Sequence, residues 1–87
     1  DDGAKRAISV HKRSLLPAGI VEVRGEFRAG DAVSIVARDG VELARGLVRY
    51  DARDVQRVMG ARSEEILERL GFHRGDEIIH RDDLVVL

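Results

Sequence analysis

The hydrophobic and polar positions in the first half of the chain alternate with the period of β-strands. Over residues 20–27, the sequence IVEVRGEF alternates apolar and polar side chains, which predicts a half-buried strand. A second run, AVSIVAR, predicts a strand over residues 32–38, and VELARGLVRY predicts a third strand over residues 41–50. Three successive short strands are therefore predicted between residues 20 and 50.

Glycines mark special backbone positions within this β-rich half. Asp39-Gly40 lies between two strand-like runs and predicts a type I′ hairpin turn, in which both central residues need positive φ. Gly46 lies inside the third strand, where a missing side chain indicates a bulge or the close approach of another backbone. Before the strands, Pro17 restricts Leu16 to an extended conformation, and Gly19 permits a turn or a close approach.

Helical spacing replaces the alternation in the second half of the chain. Asp51 is a candidate N-cap for a helix whose apolar positions follow at Val55 and Val58, and Gly60 ends that helix. Ser63 is the candidate N-cap of a second short helix, which ends at Gly71. The opening segment DDGAKRAIS predicts a further short helix capped by Asp2.

The chain closes with two short strands, predicted over residues 77–80 and 84–87. Many short strands with few and short helices favour a small barrel or sandwich, since a parallel sheet would need longer crossover helices. A chain of 87 residues supports one core and hence one domain, over residues 1–87. The expected fold class is mainly β with short α-helices.

Composition excludes several classes of function. The chain has no cysteine, which rules out disulfides and thiolate metal sites and favours a reducing compartment, so we expect a cytoplasmic protein. No apolar run is long enough to span a bilayer, and no membrane partner is expected. The net charge of −1 lacks the basic excess of a dedicated nucleic-acid binder, although 13 of the 15 basic residues are Arg.

Motifs that carry catalytic chemistry are missing from the sequence. His80-Arg81-Asp82 resembles the start of a protein-kinase catalytic loop, but that loop needs Asn where this chain has Leu87. The three histidines have no metal-ligand spacing, and no glycine-rich phosphate loop or serine nucleophile elbow is present. We therefore predict no catalytic, cofactor-binding or metal site. A polar turn between the terminal strands is the simpler interpretation of residues 80–82.

Two groups of basic residues leave nucleic-acid binding open. One group lies near the start of the chain, and the other recurs around the two later helices; the members are Lys5, Arg6, Lys12, Arg13, Arg53, Arg57, Arg62 and Arg69. With only three aromatic residues, a base-stacking platform is not expected, and RNA would have to be bound through its backbone and shape. The alternative is that these side chains are solvated and pair with nearby carboxylates.

Three segments together resemble a known family: SLLPAGIVEVRGEFRAGDAVSIV, then GVELARGLVRYDARDVQRVMGARSEEILERLGF, then HRDDLVVL. In this order and spacing they resemble the carboxy-terminal PUA domain of bacterial glutamate 5-kinases, over nearly the whole chain. The most specific parts are residues 14–17, 44–47, 63–66 and 80–83. The family often has Tyr at the position of Phe72. The amino-acid-kinase domain that precedes this segment in the family is absent here.

The resemblance implies a PUA-like β pseudo-barrel that serves as an accessory, regulatory domain. The parent enzyme would use ATP to phosphorylate glutamate at the start of proline biosynthesis, under inhibition by proline, with ATP and Mg held by the absent kinase domain. The implied partners are that kinase domain in cis and further copies in a homo-oligomer of the full-length enzyme. The alternative is an RNA-binding module, since PUA domains elsewhere bind RNA near the first helix and the following glycine loop. Candidate contacts for RNA or a protein partner are Lys12, Arg13, Pro17, Gly19, Arg53 and Arg57.

Overall fold

A computed structural model describes residues 14–87 of the chain. The regular elements, in chain order, are a 3-10 turn at Pro17–Gly19, strand β1 at Ala32–Val36, strand β2 at Glu42–Leu47, helix α1 at Ala52–Val58, a 3-10 turn at Ser63–Glu65, helix α2 at Ile66–Leu70, a 3-10 turn at Arg81–Asp83 and strand β3 at Leu84–Val86. The predicted opening helix lies outside the described residues. The mainly β fold with short α-helices is confirmed.

The three strands form one antiparallel sheet in the order β1-β2-β3. Ser34 of β1 lies opposite Arg45 of β2, which in turn lies opposite Val85 of β3. The predicted strands over 32–38, 41–50 and 84–87 correspond to β1, β2 and β3. The closing strand therefore pairs with the middle of the chain, so the sheet depends on contacts between distant segments.

The strand predicted over residues 20–27 is wrong, because this segment forms no strand. Gly25 has a φ of +75°, which interrupts an extended backbone. The apolar side chains of the segment are used differently: Ile20, Val23 and Phe27 pack against the core, while Val21 is exposed. Val21 and Val23, which the alternation placed on one face, therefore lie in different environments of an irregular segment.

The strand predicted over residues 77–80 is shorter than expected. It is reduced to one antiparallel bridge between Ile79 and Leu15, in which the Leu15 N–H donates to the Ile79 carbonyl at 2.9 Å. The polar turn predicted after it is present at Arg81–Asp83, where the Asp82 N–H donates to Nδ1 of His80 at 3.1 Å.

The hairpin between β1 and β2 is confirmed, but its predicted type I′ turn is wrong. The Gly40 N–H donates to the Ala37 carbonyl at 2.9 Å, so the central residues of the turn are Arg38 and Asp39. Ala37 then pairs with Val41 across a loop of three residues, and Gly40 has a φ of +90°. A turn followed by a left-handed glycine is the usual geometry of three-residue hairpin loops.

The close approach of another segment predicted at Gly46 is confirmed. A Cβ atom built at this position would lie 2.6 Å from Cγ2 of Ile79 and 2.9 Å from the carbonyl oxygen of Asp83. Both distances are shorter than carbon contacts allow, so the segment after residue 77 packs directly on the backbone of β2.

The two helices lie where the sequence predicted them, but their caps differ. Asp51 is the N-cap residue of α1, yet its carboxylate accepts a hydrogen bond from the Ala29 N–H at 2.9 Å and so ties the helix start to the preceding loop. Ser63 is not the cap of α2: its hydroxyl donates to the Asp76 carbonyl at 3.1 Å. Instead, the Glu65 carboxylate accepts from the Arg62 N–H at 2.9 Å.

The core lies between the inner face of the sheet and the two helices. Its largest member, Tyr50, is 1% exposed, and its hydroxyl donates to the Gly75 carbonyl and accepts from the Arg74 N–H, each at 2.7 Å. A buried hydroxyl with both partners satisfied costs little to bury. The buried cluster comprises Leu15, Ala44, Val48, Tyr50, Val55, Val58, Ile66, Ile78, Ile79 and Leu84. Within residues 14–87, no helix has the length and apolar character needed to cross a bilayer.

Candidate interaction site

The turn at Pro17–Gly19 is fixed to the end of helix α1. Leu16 before it is extended, with φ −101° and ψ 155°, as expected of a residue that precedes proline. The Pro17 carbonyl accepts hydrogen bonds from the Ile20 N–H at 3.0 Å and from the Gly60 N–H at 2.8 Å. The shape of this turn is therefore set by α1 as well as by its own sequence.

The candidate residues of this turn differ in how much surface they offer. Pro17 is fully buried, Gly19 is half-buried, and Leu16 beside them is 44% exposed. A partner at this turn would therefore meet the backbone and the side chain of Leu16 before that of Pro17. Lys12 and Arg13 lie outside the described residues.

Arg57 is exposed on α1, but its side chain is engaged in joining the two helices. Its guanidinium donates to the Arg69 carbonyl at 2.9 Å, and the Arg69 guanidinium donates to the Arg57 carbonyl at 3.3 Å. Each arginine thus satisfies a carbonyl near the C-terminal end of the other helix, where backbone carbonyls have no partner within their own helix. A ligand that recruits Arg57 would have to compete with this contact.

Arg53 lies at the other end of α1 in a setting of mixed charge. It lines an open depression whose other lining residues are Glu26, Phe27, Arg28, Asp31, Asp51 and Ala52. Two of these carboxylates hold the neighbouring loop: Asp31 accepts from the Arg28 N–H, and Asp51 from the Ala29 N–H, both at 2.9 Å. Anionic and cationic side chains share the depression, so it is not a coherent basic groove.

The structure arranges the four described candidates along one helix. Pro17 and Gly19 lie at the C-terminal end of α1, and Arg53 lies near its start, about 6 Å along the axis from Arg57. Arg53 and Arg57 belong to this helix, whereas Pro17 and Gly19 belong to the turn at its end, and each of the four has a different environment. No group of three His, Cys, Asp or Glu side chains in the described part of the chain could hold a metal ion.

Sequence reasoning missed a polar cluster on the exposed face of the sheet. Arg45 contacts Glu42 through two hydrogen bonds, Nε to Oε2 at 2.8 Å and a terminal nitrogen to Oε1 at 2.9 Å, and the Ser34 hydroxyl also donates to Glu42. The hydrogen bonds from Arg45, the larger cause, and from Ser34 lower the pKa of Glu42 from 4.5 to about 2. The carboxylate is therefore ionised at any physiological pH.

A β-bulge makes this cluster. Residues three apart in a regular strand point to opposite faces of the sheet. In β2, however, Glu42 pairs with Val36 and Ala44 pairs with Ile35, so one extra residue, Leu43, is inserted. Glu42 and Arg45 consequently share one face.

The comparison with protein families covers most of the chain. The sequence profile of the PUA domain family matches residues 1–70. The chain belongs to the PUA domain family. The three-stranded antiparallel sheet and two short helices agree with a mainly β, PUA-like fold.

Curated relatives extend the match over the whole of this PUA domain. It is 51% identical over 87 residues to a glutamate 5-kinase of Geobacter sulfurreducens, 46% to one of Caldanaerobacter subterraneus and 52% to one of Deinococcus radiodurans. The alignments take in 100% of this chain but only 23–24% of each relative, at its C-terminal part. The chain therefore spans about a quarter of the length of these relatives.

The family profile ends at residue 70, whereas the alignments with the relatives continue to residue 87. Beyond the family profile lie β3 and Phe72, whose ring stacks on the buried Tyr50 with 6.2 Å between ring centroids. The guanidinium of Arg74 lies 5.6 Å from the Phe72 ring centroid, within cation–π range. The alignments with the glutamate 5-kinases also cover these residues.

Proposed function

We propose that this PUA domain is the accessory, regulatory domain at the C-terminal end of a cytoplasmic glutamate 5-kinase. The observation that carries the proposal is the match of the entire chain to the C-terminal part of glutamate 5-kinases at about 50% identity. In the proposed enzyme, ATP-dependent phosphorylation of L-glutamate to glutamyl 5-phosphate takes place in the preceding kinase part, which also holds ATP and Mg.

The domain would act on that kinase part, or on the assembly of the full-length enzyme, through surface contacts. A domain without reacting groups can change an activity only by contacting two states of its partner differently. Its exposed charged residues along α1 and its exposed sheet face offer surface for such contacts.

RNA binding is the less favoured function. Affinity for a phosphate backbone comes from concentrated positive charge. The depression beside Arg53 also contains Glu26, Asp31 and Asp51, and Arg57 is engaged with Arg69. Weak or absent RNA binding that does not change with salt concentration would agree with this ranking, and tight salt-dependent binding would reverse it.

Deletion of the domain from the full-length enzyme tests the proposal. We expect the truncated enzyme to retain substantial glutamate phosphorylation, while its inhibition by proline or its distribution of oligomers changes. Steady-state kinetics at several proline concentrations and analytical sedimentation measure both. Complete loss of turnover in a truncated enzyme that still melts cooperatively would overturn the proposal, as would unchanged inhibition and assembly.

A further inference from the structure

The tip of the hairpin between β1 and β2 is an exposed Asp-Gly pair. Arg38, Asp39 and Gly40 all lie at the surface. Among residues 14–87, a Cβ atom built at Gly40 would meet nothing within 4 Å apart from its chain neighbours. Water therefore reaches this peptide directly from the solvent, and exposed loop tips of this kind are where covalent changes to a chain concentrate.

The side chain of Asp39 is folded forward along the chain. Its Oδ1 accepts a hydrogen bond from the Val41 N–H at 3.1 Å, which is the geometry of an Asx-turn. The amide nitrogen of Gly40 lies between these two groups along the chain. A single new bond between Cγ of Asp39 and this nitrogen would close a five-membered ring.

Glycine at position 40 makes this nitrogen open to reaction. Glycine has no side chain to shield its nitrogen, and its backbone rotates more freely than that of other residues. In the closed hairpin the Gly40 N–H donates to the Ala37 carbonyl at 2.9 Å, so the nitrogen reacts when this hydrogen bond opens. Exposed loops open locally at a much lower free energy than the core does.

We propose that Asp39 is a site of spontaneous covalent modification, at which aspartate is converted to isoaspartate through a cyclic succinimide. The Gly40 nitrogen bonds to Cγ of Asp39, while the N–H proton and the carboxyl hydroxyl group leave together as water. Water then opens the ring. Attack at Cγ restores aspartate, whereas attack at the main-chain carbonyl carbon breaks the bond from that carbon to nitrogen and leaves the chain joined through the side chain.

Isoaspartate lengthens the main chain of the hairpin loop by one methylene group. The loop closes on a hydrogen bond from the Ala37 N–H to the Val41 carbonyl at 2.9 Å, and Asp39 accepts from the N–H of the same valine. Both contacts depend on the normal length of the loop, so the modified hairpin loses them. The stability of the sheet then depends on the age of the protein, whatever the domain does in its parent enzyme.

Isotope labelling tests the proposal, because each opening of the ring takes one oxygen atom from water. The full-length protein is incubated near neutral pH in water enriched in heavy oxygen and is then digested with trypsin in ordinary water. Asp31 is the matched control: it is exposed and its carboxylate accepts from the Arg28 N–H at 2.9 Å, but Ala32 follows it. The tryptic peptides 29–38 and 39–45 contain one aspartate each, Asp31 and Asp39.

The measurement is the rate at which each peptide gains heavy oxygen, followed by mass spectrometry. We expect peptide 39–45 to gain it at least about tenfold faster than peptide 29–38, because no side chain shields the glycine nitrogen. The labelled peptide 39–45 should separate into two forms that co-elute with synthetic peptides containing aspartate or isoaspartate at position 39. Equal rates in the two peptides would overturn the proposal, and so would label without the isoaspartate form.

Gly40→Ala identifies the attacking nitrogen. The open space around Gly40 confines the strain of this variant to the backbone, and a thermal melt shows whether it is folded. Labelling of peptide 39–45 should fall towards the rate of peptide 29–38, because a methyl group now shields the nitrogen. Labelling at the parental rate in the folded variant would overturn the proposal. If Gly40→Ala does not fold, Asp39→Glu replaces it, since the longer side chain closes a larger ring and should label as slowly as the control.

Discussion

In strand β2, the side chain that is absent at Gly46 decides how closely two segments of the domain pack. Ile79 and Asp83 occupy the space that a Cβ atom would need. One of the two colliding atoms is a backbone oxygen, which cannot rotate away as a flexible side chain can. At this scale, the identity of a single residue determines whether the closing segment reaches the sheet.

Gly46→Ala is therefore expected to destabilise the domain by about 1–3 kcal/mol, the usual cost of overpacking a well-packed site. Urea unfolding measures the loss. Leu47→Ala, at the neighbouring exposed position, is the control and should change the stability little. A Gly46→Ala domain as stable as the parent would show that the close contact with Ile79 and Asp83 is not rigid.

The hairpin loop has its own glycine requirement. Gly40 has a φ of +90°, so Gly40→Val should lower the free energy of unfolding by roughly 1 kcal/mol or more, because β-branched residues are strained there. Gly40→Asn should lose less, since Asn tolerates the left-handed region better. Thermal melts of the two variants decide the matter; equal losses would contradict the strained-backbone explanation.

Glu42 makes stability depend on pH in a defined direction. Its pKa is about 2 in the folded protein and 4.5 ordinarily, so its contribution is fully present above pH 4.5 and is lost as the pH falls towards 2. Arg45→Leu removes the main cause and should raise the pKa of Glu42 towards 4.5. Carboxyl NMR titration of both proteins measures the change. If the pKa of Glu42 is the same in both, Arg45 is not its cause.

Between elements, a pair of arginines joins the two short helices. Helices of seven and five residues are too short to be stable in isolation, so their stability comes from contacts with the rest of the fold. The reciprocal hydrogen bonds of Arg57 and Arg69 supply such contacts at the helix ends. Local hydrogen bonds fix two of the connections: the Gly40 N–H donates to the Ala37 carbonyl in the hairpin loop, and the Arg62 N–H donates to the Glu65 carboxylate before α2.

Arg57→Ala should lower the free energy of unfolding by about 0.5–1.5 kcal/mol, the typical net value of a hydrogen bond. Arg53→Ala is the matched control, because it removes the same charge from an exposed position on the same helix. Unlike Arg57, Arg53 does not lie at the contact between the helices but in the mixed-charge depression. Urea unfolding of both variants gives the comparison. Equal losses would indicate an effect of helix charge alone.

At the scale of the whole molecule, the PUA domain is a small sheet with two helices on its inner side and an exposed outer face. Its sequence contains no phosphate loop, and the carboxylates and histidines of residues 14–87 are not grouped to hold a metal ion. Phosphoryl transfer to a carboxylate depends on positioned phosphates and Mg²⁺. The proposed function places this chemistry in the kinase part of a glutamate 5-kinase, outside these 87 residues.

The isolated 87-residue chain is accordingly expected to show no saturable heat when titrated with Mg-ATP, and no glutamate phosphorylation. Isothermal calorimetry and a coupled kinase assay check both. The full-length enzyme, measured in the same way, is the positive control. A clear binding isotherm in the micromolar range would contradict the assignment.

The sequence by itself determined the features that depend on neighbouring residues. The alternation over residues 32–50 predicted β1 and β2, Asp39-Gly40 predicted the hairpin between them, and the spacing of Val55 and Val58 predicted α1. These succeed because side-chain periodicity and the freedom of glycine act within a few residues of the chain. The same local motifs, in their order, carried the resemblance to the family.

Only the tertiary structure decided which distant segments meet. The alternation over residues 20–27 did not become a strand, and Ser63 bonds to Asp76 instead of capping α2. Arg57, one of the candidate contacts, donates a hydrogen bond to Arg69. The bulge at Leu43 places Glu42 beside Arg45, a contact that the sequence did not predict. Each outcome depends on a residue that folding brings close from elsewhere in the chain, and the spacing of residues along the sequence does not indicate which residue that is.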